Sequence, residues 1–103
     1  MIETTKYGLP DSDVESVISI LKKHSKIEKA ILFGSRAKGN YSNGSDVDIA
    51  LVGKDLKSTD IFTISEKIEQ LYLPWKFDIV IYDRIKEKTL IEHIDRVGIP
   101  LLG

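Results

Sequence analysis

Leu32-Phe33-Gly34-Ser35-Arg36-Ala37-Lys38-Gly39, a polar turn, and then Gly44-Ser45-Asp46-Val47-Asp48-Ile49-Ala50-Leu51-Val52 form the stretch whose reading decides the fold. The apolar run Lys29-Ala30-Ile31-Leu32-Phe33 reads as a first strand, stopped by the small residues Gly34 and Ser35. One helical turn over Ser35 to Lys38 and the turn formers Asn40 to Gly44 follow. Asp46 to Val52 reads as a second strand. Side chains two apart on a strand share a face, so Asp46 and Asp48 project together, while Val47, Ile49 and Leu51 go to the opposite face.

Outside this stretch the pattern alternates. Val14, Val17, Ile18 and Leu21 recur at helical spacing behind Pro10-Asp11-Ser12-Asp13, where Ser12 and Glu15 have capping-box spacing. Ile61, Ile64, Ile68 and Leu71 mark a second helix that Ser58, Thr59 or Asp60 can cap. Phe77 to Tyr82 reads as a third strand, with Asp78 facing away from Phe77, Ile79 and Ile81. A last helix spans Arg84 to Val97, with Leu90, Ile91 and Ile94 inward. Gly98 suits its end and Pro100 blocks its continuation. Leu101 and Leu102 add a short edge strand or a contact surface.

A topology follows if the Gly34-Ser35 turn is to meet all three acids. The turn closes the first strand, and Asp46 and Asp48 open the second, so these two strands must be antiparallel. Asp78 opens the third, so the third must run parallel to the second. A parallel pair needs a long, usually helical crossover, and the segment from Val52 to Phe77 supplies one. The expected fold is α+β: one domain over residues 1–103, a small mixed sheet, and helices packed on one face.

The chemistry of the convergent set is specific. Three carboxylates in one pocket repel, and without a cation at least one should resist ionisation. Mg²⁺ turns that repulsion into attraction, because it takes oxygen ligands and pairs carboxylates with substrate phosphates and water. Gly34 lets backbone approach a phosphate, Ser35 can donate to it, and Arg36 or Lys38 can neutralise leaving pyrophosphate. Together these point to nucleotidyl transfer. Asp-x-Asp alone is a weak signal: Asp11-Ser12-Asp13 has the same spacing and reads as helix capping. His24 and His93 read as surface or helix-face histidines, Trp75 and Tyr82 as core or rim, and Lys22, Lys23, Lys26 and Lys29 as a solvated face.

Composition narrows the classes. The 103 residues are 42% hydrophobic and 30% charged, as in a globular protein. Fifteen basic and sixteen acidic side chains nearly cancel, so the charge balance gives no net drive toward nucleic acid or an anionic membrane. There is no cysteine, so any metal site uses carboxylates or the two histidines. Met1 to Lys6 lacks the features of a signal peptide, and a cytoplasmic location is expected.

Gly34-Ser35, the spacer, Asp46-Val47-Asp48 and the later Asp78 resemble the signature of the nucleotidyltransferase fold shared with DNA polymerase beta, poly(A) polymerases and kanamycin nucleotidyltransferase. With Gly34-Ser35-Arg36-Ala37-Lys38-Gly39, the chain is most similar to the minimal nucleotidyltransferases, the MntA-like antitoxins. The resemblance implies that Asp46, Asp48 and Asp78 hold two Mg²⁺ ions, that Asp78 helps activate the attacking hydroxyl, and that Gly34, Ser35 and Arg36 bind the nucleotide. It implies ATP as substrate and a helical HEPN-type toxin as partner, receiving AMP on a tyrosine. Neutralisation of the partner by contact alone, and transfer to a small acceptor, stay open. So does supply of the acceptor surface by a second copy of the chain.

Overall fold

The computed structural model describes residues 5–103; the start read as lacking a signal peptide lies mostly outside them. Thr5–Lys6 (β1) and Leu9–Pro10 (β2) form a small antiparallel hairpin, with Thr5 opposite Pro10 and Lys6 opposite Leu9. Its turn residues Tyr7 and Gly8 have φ of 61° and 73°. Two successive positive φ values match the twist of a tight hairpin, and glycine takes one of them without strain. The sequence reading had no strand here.

Asp11–Lys23 (α1) then leads to Lys29–Phe33 (β3), Gly34–Lys38 (α2) and Val47–Val52 (β4). Ser58–Glu69 (α3), Phe77–Ile81 (β5), a 3-10 turn over Tyr82–Arg84, Lys88–Val97 (α4) and Ile99–Leu102 (β6) complete the order. The four-stranded sheet runs β5-β4-β3-β6. β3 and β4 are antiparallel and β4 and β5 parallel, as the convergence of the acids required. β6 adds antiparallel to the free side of β3. No described helix is long and apolar enough to cross a membrane.

Period-two alternation splits the strands between two cores. Ala30, Leu32, Val47, Ile49, Leu51 and Ile81 face α1 and α3 and meet Val17, Leu21, Ile64 and Ile68. Phe33 and Ala50 face the other way and pack with Ile94 of α4, with Ile31, Val80 and Leu90 around them. The expectation that helices cover one face therefore holds for α1 and α3 and is corrected for α4. The reason lies in the strands themselves. Their second face is also apolar at Ile31, Phe33, Ala50 and Val80, and α4 brings the stripe that buries it.

Helix starts differ in detail from the sequence reading. α1 begins at Asp11, so Ser12 lies inside it, and Pro10 at the cap position has no side-chain cap. Asp11 and Asp13 still place negative charge in the first turn, where the helix dipole favours it. α3 is started from within: the Asp60 carboxylate accepts the Lys57 backbone N–H at 2.8 Å. His24 Nε2 at 3.1 Å and Lys26 Nζ at 3.4 Å hold the same carboxylate, tying the end of α1 to α3. α4 begins at Lys88 instead of Arg84, because Tyr82–Arg84 closes as a separate 3-10 turn, with Ile85 N–H on the Tyr82 carbonyl.

Candidate active site

The ends of β3, β4 and β5 put the turn and the acids together. Phe33, the last residue of β3, is the register partner of Asp48 on β4. Asp48 is in turn the register partner of Asp78 on β5. Asp46 precedes β4 by one residue, two positions from Asp48. Asp48 is half-buried, while Asp46 and Asp78 are exposed. Both strand acids fall on the α4 face of the sheet, just beyond the apolar floor of Phe33 and Ala50.

Gly34 follows Phe33 with φ +76°, a left-handed conformation that side chains rarely adopt. A Cβ there would collide with Asp48 Oδ2, and would stand 3.1 Å from Asp48 Cγ. Glycine at this position therefore has two causes: the turn, and the close approach of a carboxylate. Ser35 follows half-buried in the first turn of α2.

The electrostatics match the crowding. The Asp48 carboxyl is pushed up from 3.8 to about 6, first by desolvation and then by the charges of Asp78 and Asp46. Among the described residues, no three His, Asp or Glu side chains are gathered closely enough to make a metal cage by themselves. The arrangement is one of neighbouring acids with mutual repulsion, two of them exposed to solvent.

Two residues behave differently from the sequence reading. By sequence, Arg36 is a candidate phosphate ligand. Its side chain is instead buried, 1% exposed, and directed to backbone carbonyls. Nε and Nη2 donate to the Ser45 carbonyl at 3.1 and 2.9 Å, Nη2 to Asn43 at 3.4 Å, and Nη1 to Tyr7 at 2.8 Å. The Tyr41 and Trp75 rings lie 5.4 and 5.1 Å from the guanidinium carbon. Long-range backbone partners of this kind leave no trace in local sequence. His93, by sequence a surface or helix-face histidine, takes a more specific part. Its Nε2 accepts the Gly34 N–H at 3.0 Å, and its ring meets Phe33 edge-on at 6.2 Å. An accepting Nε2 requires that the ring proton sit on Nδ1. His93 stands one position before Ile94, which anchors α4 on the sheet. That adjacency was the only available signal.

Comparison with known proteins agrees with the geometry. Residues 15–103 match the family model described as polymerase beta, nucleotidyltransferase. The chain belongs to this nucleotidyltransferase family. The family segment spans Gly34-Ser35, Asp46-Val47-Asp48 and Asp78, and it leaves the β1–β2 hairpin outside. A proposed protein adenylyltransferase of Methanocaldococcus jannaschii, MJ0141, is 33% identical over 89 residues, covering 82% of this chain and 87% of that one. Among solved structures, a toxin–antitoxin crystal structure with AMP-PNP superposes with TM-score 0.73 at 24% identity, covering 87% of this chain and 73% of that chain. The complex of a tri-AMPylated Shewanella oneidensis HEPN toxin with MNT antitoxin superposes with TM-score 0.68 at 21% identity, covering 90% and 71%. The two structures share the fold of this nucleotidyltransferase.

Proposed function

We propose that this nucleotidyltransferase moves AMP from ATP to a tyrosine hydroxyl of a HEPN-type helical protein, and so acts as the antitoxin of a toxin–antitoxin pair. The observation that carries the reading is the register of Asp48 with Asp78 beside the Gly34 turn. The name of the M. jannaschii relative supports protein as the acceptor. Of the structures that share the fold, one holds AMP-PNP and another an AMPylated HEPN toxin, which supports the nucleotide and the partner.

Asp46, Asp48 and Asp78 fit Mg²⁺, which commonly takes one or two carboxylates and completes its shell with phosphate oxygens and water. Such a site needs no closed cage of protein ligands. Bound there, the cation would neutralise the charge of the acids and of the triphosphate. Ser35 donates to the nucleotide phosphates. Gly34 serves by proximity, because its own N–H is already given to His93. Asp78 takes the proton of the acceptor hydroxyl. The hydroxyl oxygen bonds to the α-phosphorus as the bond to pyrophosphate breaks, and the pyrophosphate carries away the electron pair.

The test uses α-labelled ATP, Mg²⁺ and a HEPN-type protein encoded beside this chain. Label should pass to a tyrosine of that protein with wild type and not with Asp46→Asn. Equal transfer by both, or none by wild type, would overturn the reading.

A further inference from the structure

We propose that Arg36 is a positioning residue whose guanidinium ties the Tyr7-Gly8 turn of the hairpin to the Asn43–Ser45 loop, and thereby sets Asp46 and Asp48 against the Gly34-Ser35 turn. The proposal rests on the metal–nucleotide reading of the acids given above. Arg36 lies two residues after Gly34, and its strongest anchor is the carbonyl of Ser45, the residue immediately before Asp46. One side chain therefore spans the spacer between the two halves of the motif. The same loop is tightened from within, where Ser42 N–H donates to Ser45 Oγ at 2.9 Å.

The chemistry requires arginine. Four donor contacts reach three separate carbonyls, and the rings of Tyr41 and Trp75 both lie near the guanidinium carbon. A planar fork can do both at once; an ammonium is a point charge that cannot. Among the described residues, Arg36 forms no ion pair. Its buried charge is met by carbonyl dipoles and ring faces, so its orientation depends on all of them together.

The hairpin is the other end of the tie. Tyr7 supplies the carbonyl for Nη1. A Cβ on Gly8 would collide with the Tyr41 ring and stand 2.7 Å from Nη1. Any side chain at Gly8 must therefore displace the guanidinium or the ring. The hairpin lies outside the segment that matches the family, residues 15–103. Groups that orient metal ligands from behind typically cost 10–100-fold in metal affinity when removed.

The experiment compares wild type, Arg36→Lys, Gly8→Val and Val17→Ala, each first shown folded at the assay temperature by circular dichroism. Val17 is a core residue of α1, and its truncation serves as the control for loss of stability alone. Two readouts are taken: the Mg²⁺ concentration that half-saturates binding of a fluorescent ATP analogue, and metal-free amide NMR shifts of Ser45 to Asp48 with Gly34 and Ser35. Arg36→Lys and Gly8→Val should raise the Mg²⁺ half-point by about 10–100-fold and shift those amides. Val17→Ala should lower thermal stability and leave both readouts in place. The proposal is overturned if Arg36→Lys and Gly8→Val behave as Val17→Ala does, or if Arg36→Lys weakens nucleotide binding with an unchanged Mg²⁺ half-point. A wild type without any Mg²⁺ response would sink the metal reading alone, since the amide shifts still decide whether Arg36 places the loop. If Arg36→Lys is unfolded, Gly8→Val carries the decision.

Discussion

Asp48 and Asp78 stand directly opposite each other on the parallel strands β4 and β5. Parallel register partners on one face bring their side chains side by side, so a like-charged pair there is unfavourable until something positive intervenes. Asp46, two residues upstream, adds a third charge, and the Asp48 carboxyl rises to about 6 in consequence of burial and of both neighbours. Natural chains place such a cost where a ligand relieves it.

The sign of the resulting pH dependence is fixed. Asp48 binds its proton more tightly folded than unfolded, so its contribution to stability is full below 3.8 and is lost as pH rises through about 6. Metal-free Asp48→Asn should therefore be more stable than wild type at pH 7, by about 1 kcal/mol once solvent screening of a partly exposed group is allowed for. The advantage should shrink toward pH 4. Thermal melts of both proteins across this range check it. Asp60 has the opposite sign, since the Lys57 N–H holds its carboxyl below the ordinary value, but it is common to both proteins and cancels in the difference.

Gly34→Ala should damage both fold and site. The left-handed φ of +76° alone costs about 1–2 kcal/mol for a side chain, and the new methyl would strike the Asp48 carboxylate. Denaturant unfolding should show a loss above that figure, and Mg²⁺-dependent nucleotide binding should disappear. Wild-type binding in a destabilised Gly34→Ala protein would show that the close approach of Gly34 and Asp48 has no functional part.

His93 is separable from its helix by chemistry. His93→Leu leaves the Gly34 N–H without its acceptor and should cost about 1–3 kcal/mol. His93→Gln offers an amide oxygen that can accept the same N–H and should recover most of that loss. Chemical denaturation of both variants measures the difference. Equal stability of the two would mean that the hydrogen bond contributes little and that packing on Phe33 is the role of the ring.

Much of this was legible in sequence because it follows from periodicity and punctuation. Val47, Ile49 and Leu51 alternate with Asp48, so the face of the acid was set by the pleat. The long segment between Val52 and Phe77 could only be a crossover, so the parallel pair followed. What stayed hidden depends on contacts between distant residues. The hairpin strands of Thr5–Lys6 and Leu9–Pro10 are too short for a period to show. Leu90 and Ile94 marked α4 as amphipathic, but no local signal said which face of the sheet it covers. Arg36 reads as a phosphate ligand because charge next to Gly-Ser suggests one. Only the folded path of the loop brings the carbonyls of Tyr7 and Ser45 to its guanidinium.

Calorimetric titration of ATP into the protein, with and without Mg²⁺, tests most directly whether these acids hold a metal-bound nucleotide. Wild type should bind only when Mg²⁺ is present, and the Asp46→Asn, Asp48→Asn double variant should not bind in either condition. Nucleotide binding of equal strength with and without the cation, or retained by the double variant, would contradict it.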